Sequence, residues 1–309
     1  MQVFVIGNGF DRAHDLPTQY TDFRKFLLSE NPSFIQTIEK LTTSNLDELW
    51  HNFEDGLGKL NGEFISSEAL DERNEFNEEF DYPSLDDGHI TRFLISKYFD
   101  DLNRLDALVK KWITSVNISK TKALCKYSRA FNNQSIFINF NYTLTLENIY
   151  KIPEKNILHI HGSVNDQPIM GHGKDFNHHA KDHSPRDSKQ EYLGFDGDQV
   201  IKFLEAFNQA TNDFYQSSTK NVNGFLSVLE DFIRSNGDDG EIDSIVVLGH
   251  SLGEADLPYF QKLLNILDGV KWKISYFNDN DFKFKKHQLE KIKCRKVKLF
   301  KDDNTVEEI

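Results

Sequence analysis

Cysteine is scarce in this chain: two thiols, Cys125 and Cys294, in 309 residues. Two thiols so far apart cannot alone make a structural zinc site, and the low number fits a reducing cytoplasm. No run of about 18 or more apolar residues occurs, so no transmembrane helix is expected. The first residues form a strand pattern without a basic leader or a small-residue cleavage site, so no secretory signal is expected and the location reads as cytoplasmic. Positive charge is in deficit: the formal net charge is −13, which weighs against non-specific nucleic-acid binding as the main activity. Lys283 to Lys301 is a local exception, dense in Lys and Arg. It reads as a solvated helix followed by an edge strand protected by lysines. No internal repeat is visible. What is present suits a soluble globular protein: 38% hydrophobic residues, 28% charged, and 26 Phe for a core. The length allows one large α/β domain, or one with a sizeable insertion.

The opening stretch organises the rest. Gln2 to Ile6 reads as a short buried strand. It runs into Gly7-Asn8-Gly9, where the chain can turn sharply and leave backbone N–H groups uncovered. Asp11 begins a helical segment. A strand, a glycine turn and a helix N-terminus together favour an anion such as a phosphate. The same glycines have a plainer reading, as small residues that let a central strand pack tightly. The dinucleotide fingerprint wants a third glycine three residues after the second, and Arg12 stands there instead.

Residues 12–131 are mostly helical in pattern and hold no convincing strand, which reads as a helical insertion or cap after the first strand. Within it, Trp50, Phe53 and Glu54 are expected on one helix, and residues 62–88 read as an acidic, solvated excursion. Further strands are expected at 135–140, 157–161, 242–248, 271–277 and 296–300, with a fourth apolar piece at Pro168 to Met170 and helices between. Strands alternating with helices argue for a doubly wound, mostly parallel α/β sheet within a single domain, residues 1–309. Residues 174–196 read as a polar, lid-like loop. The nearby His172, His178, His179 and His183, with Asp175 and Asp182, show no spacing that would aim them at one ion, so no metal is expected.

Ligands of open α/β sheets bind outside the carboxyl ends of the strands. Those ends collect Gly7, Asn8 and Gly9, then Asn139 and Asn141, then His161 and Gly162, then Gly249, His250 and Ser251. Each has a bland alternative, because an Asn at a strand end often satisfies loop backbone groups. His159 reads as such a structural residue.

These residues carry a resemblance. Val5-Ile6-Gly7-Asn8-Gly9-Phe10-Asp11, the His14 to Tyr20 segment, Trp50 with Phe53-Glu54, Asn139-Phe140-Asn141-Tyr142, His161-Gly162, and Gly249-His250-Ser251-Leu252 with Asp256 resemble the AbiH family of bacterial phage abortive-infection proteins, over nearly the whole chain. The order of strand-end motifs is also similar to the sirtuin-like NAD-binding superfamily. That resemblance implies a sirtuin-like fold in which Gly7 and Gly9 match the pyrophosphate loop. Asn141 matches the residue that contacts the nicotinamide ribose or positions a water. His161 matches the general base, and Gly249 with Ser251 matches a cofactor-contacting turn. Asn8, Phe10, Asp11, Gly162 and His250 complete the expected cofactor-binding set, with a structural or ribose role for Asp11. Sirtuin-like patterns usually carry an Asp where Thr143 stands, and the four-cysteine zinc module of the deacylases is absent, which argues against protein deacylation. The implied role is phage defence with NAD as ligand or substrate, cleaved at the nicotinamide–ribose bond if the protein is an enzyme. A phage component or partner defence protein is the macromolecular partner such a role implies. The sequence leaves the oligomeric state open.

Two other readings stay open. Gly249-His250-Ser251-Leu252-Gly253 follows a strand and precedes a helix, as the nucleophile elbow of a serine hydrolase requires, with Asp279 or Asp281 and then His287 as partners in chain order. Alternatively the chain is a nucleotide-binding sensor with no chemistry.

Overall fold

The computed structural model describes residues 1–42, 45–59, 104–132, 134–171, 219–237 and 242–302, with isolated positions in addition. The acidic stretch 62–88, most of 89–103, the polar stretch 174–196 with its histidines, and most of 197–218 lie outside the described residues. The chain divides into two compact units. The first comprises Met1–Gln19, Val109–Ile169 and Asn221–Ile309, and the second Tyr20–Leu108 and Met170–Lys220.

The first unit is built on a six-stranded sheet: β1 (Gln2–Ile6), β2 (Ile136–Asn139), β3 (Ile157–His159), β4 (Ser244–Leu248), β5 (Lys271–Tyr276) and β6 (Val297–Lys301). All five pairings are parallel, in the order β3-β2-β1-β4-β5-β6. The central strands are apolar throughout because a parallel sheet is covered on both faces. In β1 the alternation divides neighbours between two layers. Val3 and Val5 pack with residues of three helices, α9 (Val222–Asn236), α10 (Leu257–Ile266) and α11 (Asp279–Lys291). Phe4 and Ile6 pack on the other side with Phe10 of α1 (Asn8–Ala13), Tyr127 of α7 (Cys125–Ala130) and Leu146 of α8 (Thr145–Tyr150). The doubly wound α/β architecture expected from the alternation of elements is therefore present. The strand expected at 157–161 ends at His159, leaving His161 in the following turn, and the apolar piece Pro168 to Met170 is not a strand.

The second unit contains α2 (Tyr20–Glu30), α3 (Pro32–Thr42), α4 (Leu46–His51) and α5 (Phe53–Leu57). Trp50, Phe53 and Glu54 do not share one helix. The chain breaks at Asn52, the C-cap of α4, and Phe53 and Glu54 start α5. The break still lets Trp50 and Phe53 stack, with ring centroids 5.0 Å apart. Glu54 accepts from the buried Lys220 ammonium at 2.8 Å. A further helix, α6, comprises Leu105–Ser115. Asn45, Asn221 and Asn278 each cap a helix by accepting a backbone N–H three residues on, from Glu48, Gly224 and Asp281.

The tightest point of the first unit is where the turn after β1 meets the turn after β4. The Gly9 N–H donates to the Gly249 carbonyl at 2.7 Å. A Cβ on Gly9 would lie 2.7 Å from Gly249 Cα, and one on Gly249 would lie 2.3 Å from Phe10 N. Gly249 also sits at φ +63°. Gly249→Ala is therefore expected to destabilise the first unit by about 2–4 kcal/mol, combining left-handed backbone strain with overpacking. Gly253→Ala, whose Cβ meets only Ser251 Oγ at 3.6 Å, should stay within about 0.5 kcal/mol. Urea unfolding of the two variants beside the parent chain measures the contrast.

Candidate functional site

In the strand order found here the sense of winding reverses between β1 and β4. The crevice at such a reversal, outside the carboxyl ends of the strands, is where open α/β sheets bind ligands. Gly7-Asn8-Gly9 leaves β1 at that point and Gly249-His250-Ser251 leaves β4 beside it.

The glycine turn is not an open cradle. The N–H groups of Gly7, Gly9 and Phe10 donate to the carbonyls of Leu248, Gly249 and Gly7. The uncovered donors expected from the sequence are thus occupied at these three positions, and the glycines provide close packing. Asn8 is exposed, and its side chain exchanges two hydrogen bonds with Thr18. The Phe10 ring is buried with His14, Tyr127 and Tyr150 at centroid distances of 4.7, 4.8 and 5.6 Å. His14 donates from Nδ1 to the Phe10 carbonyl and takes the Tyr150 hydroxyl at Nε2. Burial lowers its pKa and favours the neutral ring this pattern needs.

Asn141 is buried and tied directly to the first turn. Its Nδ2 donates to the Gly7 carbonyl at 3.2 Å, and its N–H donates to Asn139 Oδ1 at 3.0 Å. His159 donates from Nδ1 to the Asn141 carbonyl and meets Glu147 Oε1 through Nε2 at 2.7 Å. That is the structural task read for His159 from the sequence.

His161 lies just past β3, with Gly162 at φ +75° turning the chain behind it. It is buried, and its Nε2 is 3.3 Å from the Tyr259 hydroxyl. Phe140 joins this histidine to the β4 turn: its ring centroid lies 5.4 Å from His161 and 4.4 Å from His250. His250 Nδ1 accepts the Leu252 N–H at 3.0 Å, which leaves the ring proton on Nε2, 3.5 Å from Asp256 Oδ2. Ser275, at the end of β5, accepts the Gly249 N–H through its hydroxyl at 2.9 Å. Gly7, Gly9, Asn141, His161, Gly249 and His250 thus form one contiguous group. Tyr259 and Ser275 belong to it and were not singled out from sequence. Tyr259 sits inside a helical apolar pattern, and Ser275 inside a strand, where neither signals a site.

Asp11 does not face the crevice. It is buried on α1 and accepts the Thr143 hydroxyl at 2.6 Å and the Thr145 hydroxyl at 2.8 Å. Burial pushes its carboxyl up to about 6 from an ordinary 3.8, and the two hydroxyls and nearby His159 hold the rise in check. The hydroxyl at position 143, expected to be a departure from an acidic residue, is itself bonded to a carboxylate, Asp11.

Ser251 is exposed. The elbow expected around it is different in form: Leu252 takes φ +60° and a 3-10 turn, Glu254–Asp256, separates Ser251 from α10. Asp281 receives the Phe277 N–H and the Lys285 ammonium, and Asp279 and His287 are exposed on α11. No Ser251–histidine hydrogen bond occurs among the described residues, so a serine triad is not assembled there. Among them, too, no group of three or more His, Cys, Asp or Glu is placed to hold a metal, and no helix is long and apolar enough to cross a membrane.

The chain matches the family model described as Bacteriophage abortive infection AbiH over residues 3–276, and it belongs to that family. No curated protein and no solved structure matches it.

The Asp11 carboxyl lies higher in the folded chain than its unfolded value of 3.8, so the folded state holds this proton more tightly. Its contribution to stability is full below about pH 4 and is lost as pH rises through about 6. The two-unit difference corresponds to roughly 3 kcal/mol. Asp11→Asn removes the titration. Between pH 4 and 7 the parent chain should lose stability relative to Asp11→Asn by an amount of that order, read from urea midpoints at each pH. Equal slopes in both proteins would show that Asp11 does not titrate in this range.

Proposed function

We propose that this member of the AbiH family acts in abortive infection through a dinucleotide, NAD, bound at the crevice between β1 and β4. The observation that carries the reading is the all-parallel order β3-β2-β1-β4-β5-β6, because the reversal between β1 and β4 is where that order receives dinucleotides. Residues from the ends of β1, β2, β3 and β4 gather beside the same reversal. With the N–H groups of Gly7, Gly9 and Phe10 spent inside the protein, the diphosphate rests over Asn8 and Ser251, the exposed residues of the two turns.

Cleavage of the nicotinamide–ribose bond is the reaction that fits these groups. Positive charge builds on the sugar as nicotinamide leaves, and a nucleophile must be held at the anomeric carbon. A neutral histidine accepts a proton from a ribose hydroxyl or a water near pH 7. His161 takes that role, oriented by the Tyr259 hydroxyl. Asn141 orients the water or the ribose without adding charge, and its bond to the Gly7 carbonyl holds it against the first turn. The substrate is anionic and the protein carries −13. Turning Asp11 inward to Thr143 and Thr145 keeps that carboxylate off the phosphates.

Calorimetric titration with NAD, followed by chromatographic detection of nicotinamide, tests both parts. Saturable binding and nicotinamide release are expected from the parent chain. His161→Ala should lower release by about 100-fold or more, the usual worth of a general base, while keeping binding. Asn141→Ala should lose both release and phage protection, with a thermal melt to verify folding. Binding without release leaves a nucleotide sensor and removes the hydrolysis step. No binding, together with full protection by both variants, overturns the reading.

A further inference from the structure

The far edge of the sheet carries a charge that the crevice does not use. Residues 283–301 hold nine Lys and Arg against one acid, Glu290, a net +8, which leaves −21 on the rest of the chain. The helix α11 buries Lys285, Gln288 and Leu289 and exposes Lys283, Phe284, Lys286 and His287. Its apolar stripe is therefore already used against the sheet. Lys285, Lys291 and Lys296 have internal tasks, and Lys298 is also engaged. Lys285 donates to Asp281 and the Ser275 carbonyl, Lys291 to Glu254, and Lys296 to the Gly269 carbonyl. Those at 283, 286, 293, 295, 298 and 301 are exposed.

Two aromatic rings stand among them. Phe277, directly after β5, is 69% exposed, and Phe284 is 44% exposed. Lys301 pairs with Tyr276 in the β5–β6 register, which puts a lysine beside the Phe277 end of β5. Protection of an edge strand accounts for lysines on β6. It does not account for a basic helix face, nor for two solvent-facing phenylalanines on either side of Lys283. Cations that follow a phosphate backbone and rings that stack on successive bases are the two elements by which proteins hold single strands. The acidity of the remaining chain does not cancel this field, since at physiological salt the Debye length is only about 8 Å.

We propose that the exposed face of α11, with the adjoining end of β6, binds single-stranded nucleic acid. Lys283, Lys286 and Lys301 contact phosphates, and Phe277 and Phe284 stack against bases. The surface and its chemistry are independent of the NAD reading, so either can fail alone.

Fluorescence anisotropy of the full chain with labelled oligo-dT and oligo-U 15-mers, at 50 and 200 mM salt, tests the proposal. Binding at 50 mM salt is expected, weakening about 20-fold at 200 mM for three phosphate contacts on a single strand. The double variant Phe277→Ala/Phe284→Ala should weaken binding by about 5-fold or more with the salt slope unchanged. Lys283→Gln/Lys286→Gln should reduce that slope by about 1.4. All four side chains are exposed or on the solvent face, so folding, checked by thermal melt, is retained. Absence of binding at 50 mM salt overturns the proposal. So does binding that the phenylalanine variant leaves unchanged and that poly-glutamate displaces equally well, since the surface would then answer to an acidic protein partner.

Discussion

The hydrogen bond from the Gly9 N–H to the Gly249 carbonyl is the constraint on which the first unit turns. Two loops, one after the first strand and one more than two hundred residues later, approach until neither tolerates a Cβ. The parallel register of β1 with β4, from Gln2 against Ser244 to Ile6 against Leu248, delivers them there. The closure continues the ladder through the Gly7 N–H to Leu248. It also decides what the glycines do. They bring backbone to backbone inside the protein, and the exposed positions of the two turns fall to Asn8 and Ser251.

From this closure the polar residues separate onto the two faces of the sheet. On one side the Asp11 carboxylate meets Thr143 and Thr145, beside the aromatic cluster of Phe10, His14 and Tyr127. On the other, Phe140 lies against His161, His250 and Tyr259, above the layer formed by α9, α10 and α11. Asn141 stands between the two, bonded to Gly7 and, through its carbonyl, to His159. A substitution at Asn141 therefore reaches both the turn and the neighbouring strand end. That is why its test needs a folding measurement beside the functional one, whereas His161, which meets the Tyr259 hydroxyl and packs among aromatic rings, is the cleaner probe of chemistry.

The sheet was legible because its strands are short apolar runs between glycine or asparagine turns, and a parallel sheet buried on both faces leaves that pattern plainly. The candidate site was readable as a set of residues at strand ends, since Gly7, Asn141 and Gly249 follow those runs and His161 ends one. Its orientations were not. Whether Gly9 aims its N–H at a ligand or at Gly249 depends on a contact across the whole chain, and periodicity carries no such information. Asp11 reads from the sequence as structural or as a ribose ligand, and its bonds to Thr143 and Thr145 depend on contacts more than 130 residues away. Tyr259 and Ser275 fell inside ordinary helix and strand patterns, so their side-chain roles had no local signature. Asn52 splits the helix expected to carry Trp50 and Glu54, and the split was hidden because the side-chain period persists across a short break.

Charge links the two proposed surfaces. A protein at −13 gains nothing from its overall field when it meets an anion, so each anionic ligand must find a place where local carboxylates are absent, turned away or paired. Beside the crevice two acids meet this condition differently. Asp11 is buried under two hydroxyls with its carboxyl pushed up to about 6, and Asp256 faces the Nε2 of His250. At the outer edge the condition is met by concentration, with cations gathered on α11 and β6. Asp281 there is paired internally with Lys285, and Glu290 is the one acid within residues 283–301. A uniformly acidic protein of the same net charge could do neither. Both proposed anion sites, at the central crevice and at the free edge, rest on this segregation of charge along the chain.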